Sequence, residues 1–222
     1  MDQANATTLS SDTDSDVSQP KGITSADVLR LLGSEYGSAY PGPRNAPVSE
    51  LVLAILSQHT SDINSDRAFG QLIGHFGCLE HVMEADIEEI AWYINVGGLA
   101  KIKAPRLKQV LKLIWERNGS LDLSFLSEMP LHDAKAWLRE LPGIGPKLAA
   151  VILCFSLGMP AMAVDTHVYR VSQRLGLIGP KTSVEDAHDV LEKAVSPDQV
   201  YPFHVCLITH GRKVCKAPRP LC

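Results

Sequence analysis

Nothing in this chain of 222 residues is built to enter a bilayer. The longest apolar run, residues 148 to 164, is broken by Ser156, Gly158 and Pro160 and is too short to span one comfortably. The opening MDQANATTLSSDTDSDVSQP has neither a basic start nor an apolar core, so no secretory leader is expected. Without export, the five cysteines are not expected to form a disulfide framework, and a cytoplasmic protein is the default. Period-two strands and long internal repeats are missing too, which excludes sheet architectures and solenoids. Excess positive charge is also missing. A net charge of -4 argues at first sight against a nucleic-acid partner.

The distribution of charge weakens that objection. Residues 1–20 hold Asp2, Asp12, Asp14 and Asp16 with no Lys or Arg, so the whole net charge sits there and the remainder is neutral. Residues 1–21 read as a disordered acidic tail. Two basic clusters stand in the neutral remainder: Lys101, Lys103, Arg106, Lys108 and Lys112, then Arg212, Lys213, Lys216 and Arg219. Each is either a solvated helix face or a local field that attracts an anion. A hydrophobic fraction of 45 % suits a globular core.

Helical periodicity runs almost throughout. Ser25 and Ser49 are expected to cap helices over 25–36 and 49–58, and Asp62 to open one reaching Gly77. Asp86 opens a short helix through Tyr93, and a glycine loop precedes a long helix that ends at Asn118-Gly119. Further helices are expected over 131–140, 145–157, 165–176, 183–195 and 197–213. The fold class is all-α.

The stretch LPGIGPKLAAVIL, from Leu141 to Leu153, carries chemistry. A helix, a Gly-x-Gly turn and a second helix make a helix–hairpin–helix. Gly143 and Gly145 can take positive φ and let a ligand backbone approach closely. The free amides and positive dipole end of the second helix form an anion site, with phosphate the natural occupant. Lys147 follows two residues later. It is either a nucleophile suited to Schiff-base chemistry or a phosphate-binding point charge. Eighteen residues on, in VDTHVYRV, Asp165 is either a helix N-cap or a carboxylate opposing the lysine, and both can hold together.

LPGIGPKLAAVIL together with AVDTHVYRVSQRLG resembles the helix–hairpin–helix and Gly/Pro-rich-Asp signature of the endonuclease III family of DNA repair glycosylases. The resemblance extends over 22–222 and includes LVLAILSQHTSD, YINVGGLAKIKA and HGRKVC. It implies two helical domains flanking a DNA-binding cleft: a six-helix barrel over 46–157, and a second unit from 22–45 with 158–222. Lys147 matches the catalytic lysine and Asp165 the catalytic aspartate. The implied protein is a nucleoid-associated monomer that binds double-stranded DNA containing a damaged base or abasic site. It flips the damaged base, an oxidised pyrimidine, and removes it through a lysine Schiff base, then cuts the strand by β-elimination. Gly143 and Gly145 would hold the backbone beside the lesion. Leu99 and His59 match the residues that fill the vacated hole, although glutamine or asparagine is more familiar at His59; Gln58 and His167 are further implied DNA contacts. An alkylpurine or mismatch-thymine glycosylase on the same scaffold, and a non-enzymatic helix–hairpin–helix DNA-binding protein, stay as alternatives.

Family members carry a [4Fe–4S] cluster on four cysteines. Here only Cys215 and Cys222 match, and the given sequence stops on the second, which reads as a truncation at the cluster loop. Cys78, Cys154 and Cys206 read as buried small hydrophobes. As given, the chain is expected to lack a stable cluster.

Overall fold

The computed structural model describes residues 22–37, 42–43 and 45–222; the expected acidic tail lies outside the described residues. Every regular element among the described residues is helical. The α-helices run α1 Ser25–Tyr36, α2 Pro47–Leu56, α3 Asp62–Phe76, α4 Leu79–Glu84, α5 Ile87–Tyr93 and α6 Ala100–Asn118. They continue with α7 Leu131–Arg139, α8 Pro146–Leu157, α9 Thr166–Arg174, α10 Val184–Ala194 and α11 Val200–Lys213. No helix among the described residues is long and apolar enough to cross a membrane.

Local chemistry sets the boundaries, and it corrects several expectations. Thr24, not Ser25, caps α1, in a reciprocal capping box with Asp27. Ser49 lies inside α2, because Pro47 starts that helix at a position where a missing N–H costs nothing. Ser61 caps α3 with its hydroxyl accepting from the Asn64 amide. The first three residues expected of the last helix form instead a 3₁₀ turn, Pro197–Gln199. Helix α4 was not expected, since six residues give too little period to read; it buries Leu79, Val82 and Met83 on one face.

One core joins the elements. Helix α2 is apolar nearly all round and packs on α8, with Leu51, Val52, Ile55 and Leu56 fully buried. Burial on this scale contributes about 1.5–3 kcal/mol per large side chain. Helix α11 packs against both α1 and α9, while α6 receives α4 and α5. These pairings hold still the loops that follow α2, α5, α7 and α8, where the candidate site residues lie.

Candidate active site

The hairpin between α7 and α8 is anchored by its apolar residues. Leu141 and Ile144 are buried, and the Ile144 amide donates to the Leu141 carbonyl at 3.1 Å. Gly143 has φ +80°, a left-handed value that glycine adopts without a Cβ clash. A Cβ there would also stand 2.7 Å from Cδ and Nε of Arg106, whose side chain passes beneath the turn. Gly145 departs from expectation. Its φ of -93° is ordinary for any residue, so positive φ is not what selects glycine there. Among the described residues, a Cβ on Gly145 meets nothing within 4 Å, so the turn is open on that side.

Arg106 also reaches the loop after α2. Its Nη1 donates to Gln58 Oε1 at 2.9 Å, and Gln58 Nε2 donates to the Gly143 carbonyl at 3.4 Å. Gln58 therefore joins hairpin and loop rather than pointing freely outward. His59 and Leu99 are exposed, and they share an unusual backbone: φ is 56° at His59 and 52° at Leu99. Among the described residues no other non-glycine residue has positive φ. Such conformations cost of order 1–3 kcal/mol each and concentrate at functional sites.

Lys147 stands in the first turn of α8, behind Pro146, which starts the helix. It is exposed, and it lines a cavity of about 330 Å³ with Glu50, Ser57, Asp62 and Ser65. A larger hollow at Gln71, Trp92 and Tyr93 touches neither Lys147 nor Asp165. The segment from α8 to Asp165 has no regular structure and is tied from outside. The Met162 amide donates to Glu192 Oε2 at 2.9 Å, while His188 and His204 donate from Nδ1 to the Met162 and Ala163 carbonyls, both at 2.7 Å. Asp165 then caps α9, with Oδ1 accepting from the His167 and Val168 amides at 2.8 Å each. The capping alternative is thus realised in the structure.

His204, buried in α11, relates the two candidate catalytic residues. Burial holds its pKa below the ordinary histidine value, the bond to Ala163 and the charge of Asp165 pull upward, and Lys147 and Arg212 push down. His204 escaped the sequence reading because a single histidine in an apolar helix carries no mark of its tertiary neighbours. His167 turns toward α11: its Nδ1 lies 3.0 Å from Arg170 Nη2, and its Cβ lies 2.9 Å from where a Cβ on Gly211 would be.

The basic clusters prove heterogeneous. Lys103 is 1 % exposed, contrary to the solvated-face reading, and burial lowers its pKa from the ordinary lysine value. Lys108 donates to the Ala85 carbonyl, and Arg106 is engaged at the hairpin. Lys101 and Lys112 remain exposed on α6. In the second cluster Arg212 pairs with Asp62 at 2.9 Å, bridging α11 to α3.

At the C-terminal end the ligand-capable atoms of His210, Cys215 and Cys222 lie within 4.8 Å of one another. Arg174 Nη1 donates to Cys215 Sγ at 3.1 Å. Cys154 and Cys206 are buried as expected, and burial pushes the Cys154 thiol up to about 12. Cys78 differs: it is half-buried and stands at the N-terminus of α4. A [4Fe–4S] cluster requires four thiolates. Among the described residues this locus offers two and one imidazole, so the residues present do not complete such a set. Anaerobic reconstitution with iron and sulfide is expected to leave this chain well below the roughly four irons of an intact cluster. Four irons with the matching visible spectrum would demand ligands beyond Cys215 and Cys222.

A glycine hairpin, a lysine at the cavity behind it and an aspartate capping the next helix form a set that can be compared with known proteins. Residues 52–197 match the model of the HhH-GPD superfamily base excision DNA repair proteins. The endonuclease III of Thermotoga maritima is 32 % identical over 184 residues, covering 81 % of this chain and 82 % of that protein. The Rickettsia conorii endonuclease III is 35 % identical over 202 residues, covering 89 % and 91 %. The chain belongs to the endonuclease III family. A solved trapped endonuclease III–DNA covalent intermediate superposes with a TM-score of 0.74 at 26 % identity, covering 89 % of this chain and 91 % of that one. As an endonuclease III family member, the protein is a base-excision DNA glycosylase/lyase.

Proposed function

We propose that this protein removes an oxidised pyrimidine from duplex DNA by Schiff-base chemistry at Lys147 and then cuts the strand at the resulting site. The observation that carries the proposal is the placement of Lys147, in the first turn of α8, on the wall of a cavity of about 330 Å³ directly behind the hairpin. The hairpin amides and the open side of Gly145 receive the backbone phosphate beside the lesion, a contact that positions without reading sequence. The duplex is received between the helices of 46–157 and a second unit made of α1 with α9 to α11. His59 and Leu99, both exposed and both on left-handed backbones, enter the stack as the lesion nucleotide swings out.

The chemistry follows from that placement. The Lys147 amine, once it has given up a proton, attacks C1′ as the glycosidic bond breaks, and the base leaves with the bonding pair and takes up a proton. The attached nitrogen gives up a proton and its lone pair forms the C1′=N bond as C1′–O4′ breaks, O4′ taking up a proton, which opens the sugar ring to the imine. Loss of a proton from C2′ then moves electrons into a C2′–C3′ double bond and expels the 3′ phosphate. Asp165, fixed by its cap bonds, stabilises the developing positive charge on the sugar. No step uses a metal group.

A panel of duplexes, each carrying one lesion, tests the substrate assignment. Base release is expected from oxidised pyrimidines, followed by strand scission. Release confined to alkylpurines or to thymine mismatched with guanine would move the protein to those substrates, and binding of oxidised pyrimidines without release would overturn the assignment.

A further inference from the structure

Among the described residues Lys103 is the largest fully buried side chain that carries a formal charge, and the chemistry assigned to Lys147 and Asp165 makes no use of it. Its Nζ donates to the Leu56 carbonyl at 2.6 Å and to the Gly97 carbonyl at 2.8 Å. Leu56 is the last residue of α2 and Gly97 closes the short 3₁₀ turn before α6. His59 lies three residues beyond the first and Leu99 two residues beyond the second, and these two alone among the described non-glycine residues have positive φ. One ammonium thus grips the base of both loops. Gly97 also packs closely on α3 and the end of α2, since a Cβ on it would stand 3.1 Å from Ala68 Cβ and 3.9 Å from the Leu56 carbonyl oxygen.

Simple packing does not call for a lysine here. Burying an ammonium is costly unless its hydrogen bonds are met, and an apolar residue of similar length fills space without that cost. Lys135, which is ion-paired, meets the Glu192 carboxylate, whereas the two hydrogen bonds of Lys103 both go to carbonyls. The carbonyl at the end of α2 sits at the negative end of the helix dipole, where a cation is favoured. We infer that Lys103 is a positioning residue that fixes the spacing of His59 and Leu99, so that both enter the duplex together when a base is extruded. The inference rests on the void-filling assignment of those two residues.

The test compares single-turnover base release from one lesion in a fully paired duplex and in an unpaired bubble, where no stack has to be filled. Lys103→Met keeps the length and removes the donors; Lys103→Gln keeps an amide able to reach one carbonyl. On the duplex Lys103→Met is expected to lose between about 10- and 100-fold, the scale of a small misplacement far from the chemistry. On the bubble the loss is expected to be slight, and Lys103→Gln should fall between wild type and Met on the duplex. 2-Aminopurine opposite the lesion should report weaker extrusion in both variants. Equal losses on duplex and bubble, or none on either, would overturn the inference, since a merely structural lysine affects both alike. Leu99→Gly run in parallel separates the two assignments. If it shows the duplex-selective loss and the Lys103 variants do not, the positioning role alone fails; if it shows none, the void-filling assignment fails and the inference with it.

Discussion

Replacing Lys147 by glutamine is expected to reduce both base release and strand scission by about 10⁴-fold or more, the scale seen when a nucleophile is removed from a cooperating set. Duplex binding should survive. The hairpin amides and Gly143 are unaffected, and Lys147 is exposed at the cavity wall, so its loss opens no hole in the core. Glutamine keeps most of the side-chain length and cannot form an imine. A phosphate-binding point charge would behave differently: affinity would fall with a shallower salt dependence, and the chemical step would persist. Single-turnover kinetics at saturating enzyme, beside a salt titration of binding, separate the two. Scission that persists at saturation would return Lys147 to the binding role.

The second large effect is expected at Asp165. Asparagine should slow base release by about 10²- to 10⁴-fold, the range for a positioned acid–base group. Stability should barely move. Both cap bonds use Oδ1, an asparagine carbonyl oxygen accepts the same two amides, and asparagine caps helices about as well as aspartate. What is lost is the negative charge. Thermal melting and base release measured on the same preparation decide the matter. Activity that fell only in proportion to the folded fraction would leave Asp165 a cap and nothing more.

The residues explain why parts of this site were legible in the sequence and others were not. The hairpin could be read because its determinants are local: Gly143 in a left-handed turn and Pro146 opening α8. Asp165 could be read as a cap for the same reason, since capping depends on residues two and three positions ahead. His59 and Leu99 entered only through resemblance, because nothing in a lone loop leucine announces a φ of 52°. Lys103 was misplaced. In one dimension it belongs to a run of cations, and only the approach of Leu56 and Gly97 turns it into a buried tie. Arg106 and His204 were hidden in the same way, since their partners lie 48 and 41 positions away in the chain. Helix α4 was lost to its six-residue length.

The central claim, an imine at Lys147, is tested most directly by trapping it. The wild-type protein is incubated with a duplex holding one abasic site in the presence of borohydride, and the covalent adduct is digested and mapped by mass spectrometry. The account predicts one cross-linked protein–DNA species, with the modification on the peptide containing Lys147. An adduct on any other peptide, or strand scission with no adduct at all, would contradict it.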